Sequence, residues 1–137
     1  MGLILDTSAL VALERARAPL TEVLAPLSEE EVAVPAIVVA ELLAGVRLAR
    51  DARRAARRRS KVDAVLALAP VIDFSVEIAE IWADLFAALE RQGSRIPAND
   101  LAVAATAAFL GFTILVGPQD EEHFRRIEGV TVETLKQ

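Results

Sequence analysis

The chain has 137 residues, 54% of them hydrophobic, with no cysteine, one histidine (His123) and a net charge of −5. That is one ordinary domain over residues 1–137, with a core that needs no disulfide or metal staple. The counts exclude disulfide scaffolds, cysteine nucleophiles, Cys/His zinc sites and any mechanism built on two histidines, so chemistry has to run on carboxylates, hydroxyls, amides or basic side chains.

In chain order, Gly2 to Leu5 reads as a short buried strand ended by Asp6. Thr7 and Ser8 can cap a helix running to about Glu14, and Pro19 to Leu27 reads as a second short helix. Three glutamates lead into the strand Val32 to Val34. Pro35 suits a first helical position, opening an apolar helix from Ala36 to about Arg50. Asp51 to Leu68 is a basic helix closed by Pro70, and Val71-Ile72 is a brief strand. Ser75 caps a helix from Val76 to Gln92, whose Ile78, Ile81, Trp82, Leu85, Phe86 and Leu89 recur at helical spacing. Gly93 stops it. Pro97 and Asn99 open a helix over Asp100 to Leu110, which Gly111 ends. A strand at Thr113 to Val116, a Gly117-Pro118 turn, a helix at Asp120 to Ile127 and a strand at Val130 to Val132 complete the chain.

Short all-apolar strands alternating with helices require a parallel sheet covered on both faces. The fold class is therefore α/β, a single-domain α/β/α sandwich with a short parallel sheet. The apolar run over Leu101 to Phe112 is about half the ~20 residues of a bilayer-spanning helix. Asp6 interrupts the N-terminal apolar run almost at once. Neither a membrane helix nor a signal peptide is expected, and the location expected is the cytoplasm.

Three acids stand where burial is costly. Asp6 ends an apolar strand, Glu41 is the only charge between Pro35 and Val46, and Asp100 precedes an uncharged apolar helix. Asp6 can be a helix cap, and Asp100 sits in a first turn that favours an acid, with Asn99 as the cap proper. Glu41 has neither excuse, and its structural explanation would be a distant arginine. Asp120 can be an ordinary helix-start acid beside Glu121 and Glu122. Asp6 and Asp120, however, both follow strand ends, where open α/β sheets bind ligands. An oxygen-only acid cluster suits Mg²⁺ or Mn²⁺, ions that offset carboxylate repulsion, activate water and stabilise a phosphate under displacement.

Leu5-Asp6-Thr7-Ser8-Ala9-Leu10, then Val34-Pro35 with Ala40-Glu41-Leu42 and Gly45, then Ile96 to Leu101 with Ala104-Ala105, follow one another across the domain. In that order and spacing the chain resembles the PIN-domain ribonucleases, and most of all the VapC toxins of bacterial toxin–antitoxin pairs. The ending over Phe124 to Val130 is similar as well. The resemblance implies a PIN-like fold and a metal-dependent endoribonuclease neutralised by a cognate antitoxin, with RNA as substrate and a homodimer as the assembly. It places the metal-binding, catalytic acids at Asp6, Glu41, Asp100 and Asp120, with Thr7 or Ser8 bracing them and Asn99 in support. The chain departs from the family where a threonine usually stands two residues before the fourth acid, because Pro118 is there. Glu121 is the alternative fourth acid.

The segment from Arg47 to Lys61 holds eight of the fifteen basic residues with Asp51 as its only acid, so it carries +7 and the remainder −12. Arg47, Arg50, Arg54, Arg57, Arg58 and Lys61 recur at three- and four-residue intervals, and Arg53 and Arg59 widen the stripe. A solvated helix face normally mixes signs, so contact with RNA phosphates stands beside the solvation reading, as does an antitoxin-contacting surface. Trp82 and its apolar neighbours read as core, or as a homodimer surface where exposed. His123 reads as a surface residue or substrate contact. Two alternatives remain: a PIN-fold nuclease of RNA processing without an antitoxin, and a non-enzymatic binding module with structural acids. An aspartyl-nucleophile phosphatase would want an acid where Ser8 stands.

Overall fold

A computed structural model describes residues 2–15, 22, 25 and 30–135. The Pro19 to Leu27 helix falls almost wholly outside them. β1 (Gly2–Leu5) leads into α1 (Thr7–Arg15), and β2 (Glu31–Pro35) into the helix pair α2 (Ala36–Arg47) and α3 (Ala52–Leu68). After β3 (Val71–Ile72) come α4 (Val76–Arg91), α5 (Ala98–Leu110), β4 (Thr113–Val116), α6 (Glu121–Arg125) and β5 (Val132–Thr134).

The strands form one parallel sheet in the order β3-β2-β1-β4-β5. Every residue of β1 is buried. Because successive strand side chains point to opposite faces, an all-buried strand has both faces covered, and the expected α/β/α layering follows. Ile4 pairs with Ala33 on one side and with Ile114 on the other. Around them Val34, Val38, Leu101, Val103, Val116 and Phe124 close the core. The chain leaves β1 towards β2 and β3, then returns to place β4 on its other side. The strand order reverses at β1, and crevices at such reversals, beyond the carboxyl ends of strands, are where open α/β sheets bind ligands.

Several boundaries differ from expectation. Pro35 ends β2 in extended geometry (φ −64°, ψ 144°) and does not open the helix. α2 stops at Arg47, because Leu48 and Ala49 turn the chain before the Asp51 side chain caps α3 at the amide of Arg54 (2.8 Å). The cap position of α5 is Pro97, so Asn99 is an exposed first-turn residue that makes no capping bond. α6 is only five residues long. Gly129 turns the chain at φ +81°, and residues 130–131 carry it to the sheet edge, so β5 starts at Val132. Ser75 does cap α4, at the amide of Ile78 (3.2 Å), and Gly111 ends α5 in the left-handed conformation. Among the described residues no helix is long and apolar enough to cross a membrane.

Candidate active site

Four acids are delivered to the carboxyl edge of the sheet by four different segments. Asp6 is the residue after β1, Glu41 lies one turn into α2, Asp100 is in the first turn of α5, and Asp120 follows the turn after β4. α5 precedes β4 and runs antiparallel to it, so its start lies at the same edge as the ends of β1 and β4.

Asp6 is 1% exposed. Its Oδ2 accepts from the amide (3.0 Å) and from the hydroxyl of Ser8, so Asp6 caps α1 in place of the expected Thr7 or Ser8. Burial lifts its carboxyl from 3.8 to about 6 against those two bonds, with smaller upward pushes from the charges of Asp100 and Asp120. The bland and the functional readings of Asp6 therefore coexist, because a solved cap does not make the buried charge comfortable.

Ser8 has a second task. Its Oγ accepts from the amide of Gly117 at 2.9 Å, tying the loop after β4 to the start of α1. That approach requires glycine, since a Cβ at position 117 would lie 2.5 Å from the Ser8 carbonyl oxygen. The loop that carries Asp120 is thus clamped against the residue that holds Asp6.

Glu41 is only half-buried, less than its apolar sequence context implies. Thr7 Oγ1 donates to its Oε1 at 2.8 Å. Asp100 is buried, which raises its carboxyl above the ordinary range; a hydrogen bond from His123 opposes the rise, and the charges of Asp120 and Glu41 add to it. Among the described residues no lysine or arginine pairs with Asp6, Glu41, Asp100 or Asp120. Among the described residues no distant arginine supplies the structural explanation for Glu41.

Asp120 occupies the cap position of α6 yet makes no capping bond, unlike Asp51 and Ser75. Its charge is felt at both Asp6 and Asp100. Glu121 instead accepts from Arg125 Nε at 2.6 Å, a bond that lowers its carboxyl. Of the two candidates for the fourth acid, Asp120 faces the others and Glu121 faces an arginine.

The donor set suits a hard divalent cation: it is oxygen-only, crowded with like charge, and without a lysine or arginine partner among the described residues. Among the described residues no three acidic or histidine side chains stand close enough together, as oriented, to hold a metal ion. Each of three carboxylates instead turns onto a protein donor, Asp6 onto Ser8, Glu41 onto Thr7 and Asp100 onto His123. Beside them a cavity of about 480 Å³ is lined by Ser8, Val11, Ala12, Arg15, Gly117, Pro118 and Gln119.

Two contributors were not read from sequence. His123 Nδ1 lies 2.8 Å from Asp100 Oδ2, so it belongs to the site and not merely to the surface. Trp82 is partly core, stacking on Phe86 at 5.2 Å, but its Nε1 also donates to the Ala98 carbonyl (3.3 Å) at the start of α5. Nothing in a linear pattern pairs position 123 with 100 or 82 with 98.

The basic stripe is partly committed to structure. Arg58 Nη1 donates to the Gly45 carbonyl (2.6 Å), stapling α3 to α2. Lys61 pairs with Glu14 of α1, Arg59 with Asp63 and Arg54 with the cap Asp51. Arg47, Arg50, Arg53 and Arg57 are exposed and have no ion-pair partner among the described residues.

Residues 3–130 match the PIN domain family. The chain belongs to the PIN-domain family. It is 30% identical over 135 residues to the ribonuclease VapC of Rickettsia bellii, covering 98% of this chain and 97% of that one. The PIN fold here superposes on VapBC2 of Rickettsia felis, solved bound to a DNA fragment from its promoter, with a TM-score of 0.86 and 28% identity over 99% and 100% of the two chains. VapBC-5 of Mycobacterium tuberculosis, a member of the VapBC family of toxin–antitoxin systems, gives a TM-score of 0.74 and 26% identity over 100% of both chains.

Proposed function

We propose that this PIN protein is an endoribonuclease, the toxin of a type II toxin–antitoxin pair, that works with Mg²⁺ or Mn²⁺ held by Asp6, Glu41, Asp100 and Asp120. One observation supports the reading: four acids from four segments lie near enough at the sheet's carboxyl edge for their charges to act on Asp6 and Asp100, with no lysine or arginine paired to them among the described residues. Two buried carboxylates with two half-buried ones beside them are costly unless an ion is shared, so their collection here is difficult to explain as fold stabilisation. When bound, the ion supplies an acidified water and neutralises charge on the scissile phosphate. The chain's own residues do the remaining work. Thr7 and Ser8 hold Glu41 and Asp6 in place, Gly117 lets the Asp120 loop close on them, and the neighbouring cavity has the volume for part of a nucleotide.

RNA phosphates would be gathered by the exposed arginines at the end of α2, in the α2–α3 turn and on α3, Arg47, Arg50, Arg53 and Arg57. Arg54 and Arg58 have structural duties besides. The relatives solved as members of toxin–antitoxin systems support a cognate antitoxin for this chain. The unneutralised negative charge of the acids favours an antitoxin guanidinium that enters the cluster and neutralises it bidentately. The exposed Phe74 (51%), Val76 (75%) and Phe86 (45%) on and beside α4 support a homodimer through that face.

The test is cleavage-site mapping on total RNA with Mn²⁺, using the wild type and alanine variants of the four acids and of Glu121. Loss of cleavage in the Asp6, Glu41, Asp100 and Asp120 variants, with Glu121→Ala active, is the expected pattern. Full activity in Glu41→Ala would remove the site and the enzyme reading with it.

A further inference from the structure

His123 is the chain's single histidine, and its ring is built against Asp100 by the local fold. α6 is short, but Phe124, fully buried, anchors it in the core. Arg125 to Glu121 and Arg126 to Glu122, each 2.6 Å, fasten its outer face. The residue before Phe124 is thereby held at the mouth of the site, with its side chain 34% exposed and the Asp100 side chain only 12% exposed.

The contact engages one oxygen of the carboxylate. Nδ1 meets Oδ2 at 2.8 Å, and Oδ1 has no protein donor among the described residues. A carboxylate offers about four lone-pair sites, so a donor on Oδ2 leaves Oδ1 able to ligate. The three held acids also differ in how they are held. Thr7 holds Glu41 through a hydroxyl and Ser8 holds Asp6 through its hydroxyl and its own amide, both close by, whereas Asp100 meets a planar ring on a separately anchored helix. Outer-shell donors of this kind fix the orientation of a ligating group, and their loss typically costs ~10–100-fold in metal affinity or activity.

We propose that His123 is a positioning residue that holds Asp100 through Nδ1–H···Oδ2, presents Oδ1 to the divalent ion and so sets the ion affinity of the site. The proposal rests on the metal-dependent reading above. An ion pair that merely tied α6 to α5 would contribute to folding and leave ion affinity alone.

The experiment titrates Mn²⁺ into the full chain, following heat by calorimetry and free Mn²⁺ by its paramagnetic resonance signal. It compares the wild type with His123→Leu, His123→Ala and His123→Asn, and records the Tm of each without metal. The asparagine side-chain amide sits close to the position of Nδ1 and can donate, while leucine and alanine cannot. The expected result is a Mn²⁺ affinity weakened ~10–100-fold in the leucine and alanine variants and largely restored in asparagine, with similar metal-free Tm throughout. Unchanged affinity in the donor-free variants, or an equal loss in asparagine, overturns the role of His123 while leaving the metal site standing. A wild type that takes up no Mn²⁺ overturns both.

Discussion

Asp6→Asn offers the sharpest perturbation, because it removes a buried charge and keeps the shape of the acceptor. The asparagine oxygen can still accept from the Ser8 amide and hydroxyl, so the cap of α1 survives. The folded carboxyl titrates at about 6, whereas the unfolded chain has the ordinary 3.8. Between those values the folded state binds more protons than the unfolded one, so wild-type stability falls as pH rises through that window and levels off above it. At about 1.4 kcal/mol per pH unit, the full cost is about 3 kcal/mol. The variant does not bear that cost. At pH 7.5 without metal it should be more stable than the wild type by up to about 3 kcal/mol, or roughly 10 °C in Tm for a chain of this size. At pH 4, just above the unfolded value, most of that difference should be gone. Mn²⁺ at 1,000 times its Kd should reverse the order, since the wild type then gains about 4.1 kcal/mol while the variant, short of one ligand, gains little. Thermal melts at pH 4, 6 and 7.5 with and without Mn²⁺ settle the matter. A variant no more stable than the wild type at pH 7.5, or an advantage as large at pH 4 as at pH 7.5, would refute the argument that Asp6 is an uncompensated buried charge.

Four further outcomes are expected. Ser8→Ala removes the hydroxyl's bonds to Asp6 and from the Gly117 amide while the residue's own amide still holds Asp6; it should destabilise by roughly 1–3 kcal/mol and push the Asp6 titration still higher, read from the pH midpoint of the stability curve. Gly117→Ala places a methyl against the Ser8 carbonyl and should cost ~1–3 kcal/mol in chemical denaturation while lowering cleavage, because the Asp120 loop must move. Reversing Arg50, Arg53 and Arg57 to Glu together should weaken RNA binding and flatten its salt dependence in a filter-binding assay, whereas Arg58→Glu alone should lower Tm by unstapling α3 from α2. Phe124→Ala should cost ~3–5 kcal/mol and reduce Mn²⁺ affinity, since it loosens the helix that carries His123.

Much of this molecule was legible in its residues. Uninterrupted apolar strands such as Leu3-Ile4-Leu5 can be satisfied only by a sheet covered on both faces, so pattern alone specifies the layered fold. An acid stranded in an apolar segment stands out because its desolvation cost is local, and Asp6 and Asp100 were identifiable on that ground. Glu41 stood out in the same way, although it proves half-buried and bonded to Thr7. Cap positions were less legible: proline in extended geometry takes that place before both α2 and α5, where Asn99 looked the better candidate for α5. The stripe of arginines was visible, but not which of them were already spent, since the partners Gly45 and Glu14 of Arg58 and Lys61 come from other helices. The choice between Asp120 and Glu121 needed the direction each side chain takes when a short helix starts beside a clamped loop. His123 was beyond reach for the same physical reason. Its partner lies 23 residues away on another helix, and only the packing of Phe124 into the core brings the ring to Asp100. Periodicity and burial cost are properties of a segment, whereas hydrogen bonds between elements belong to the packed whole.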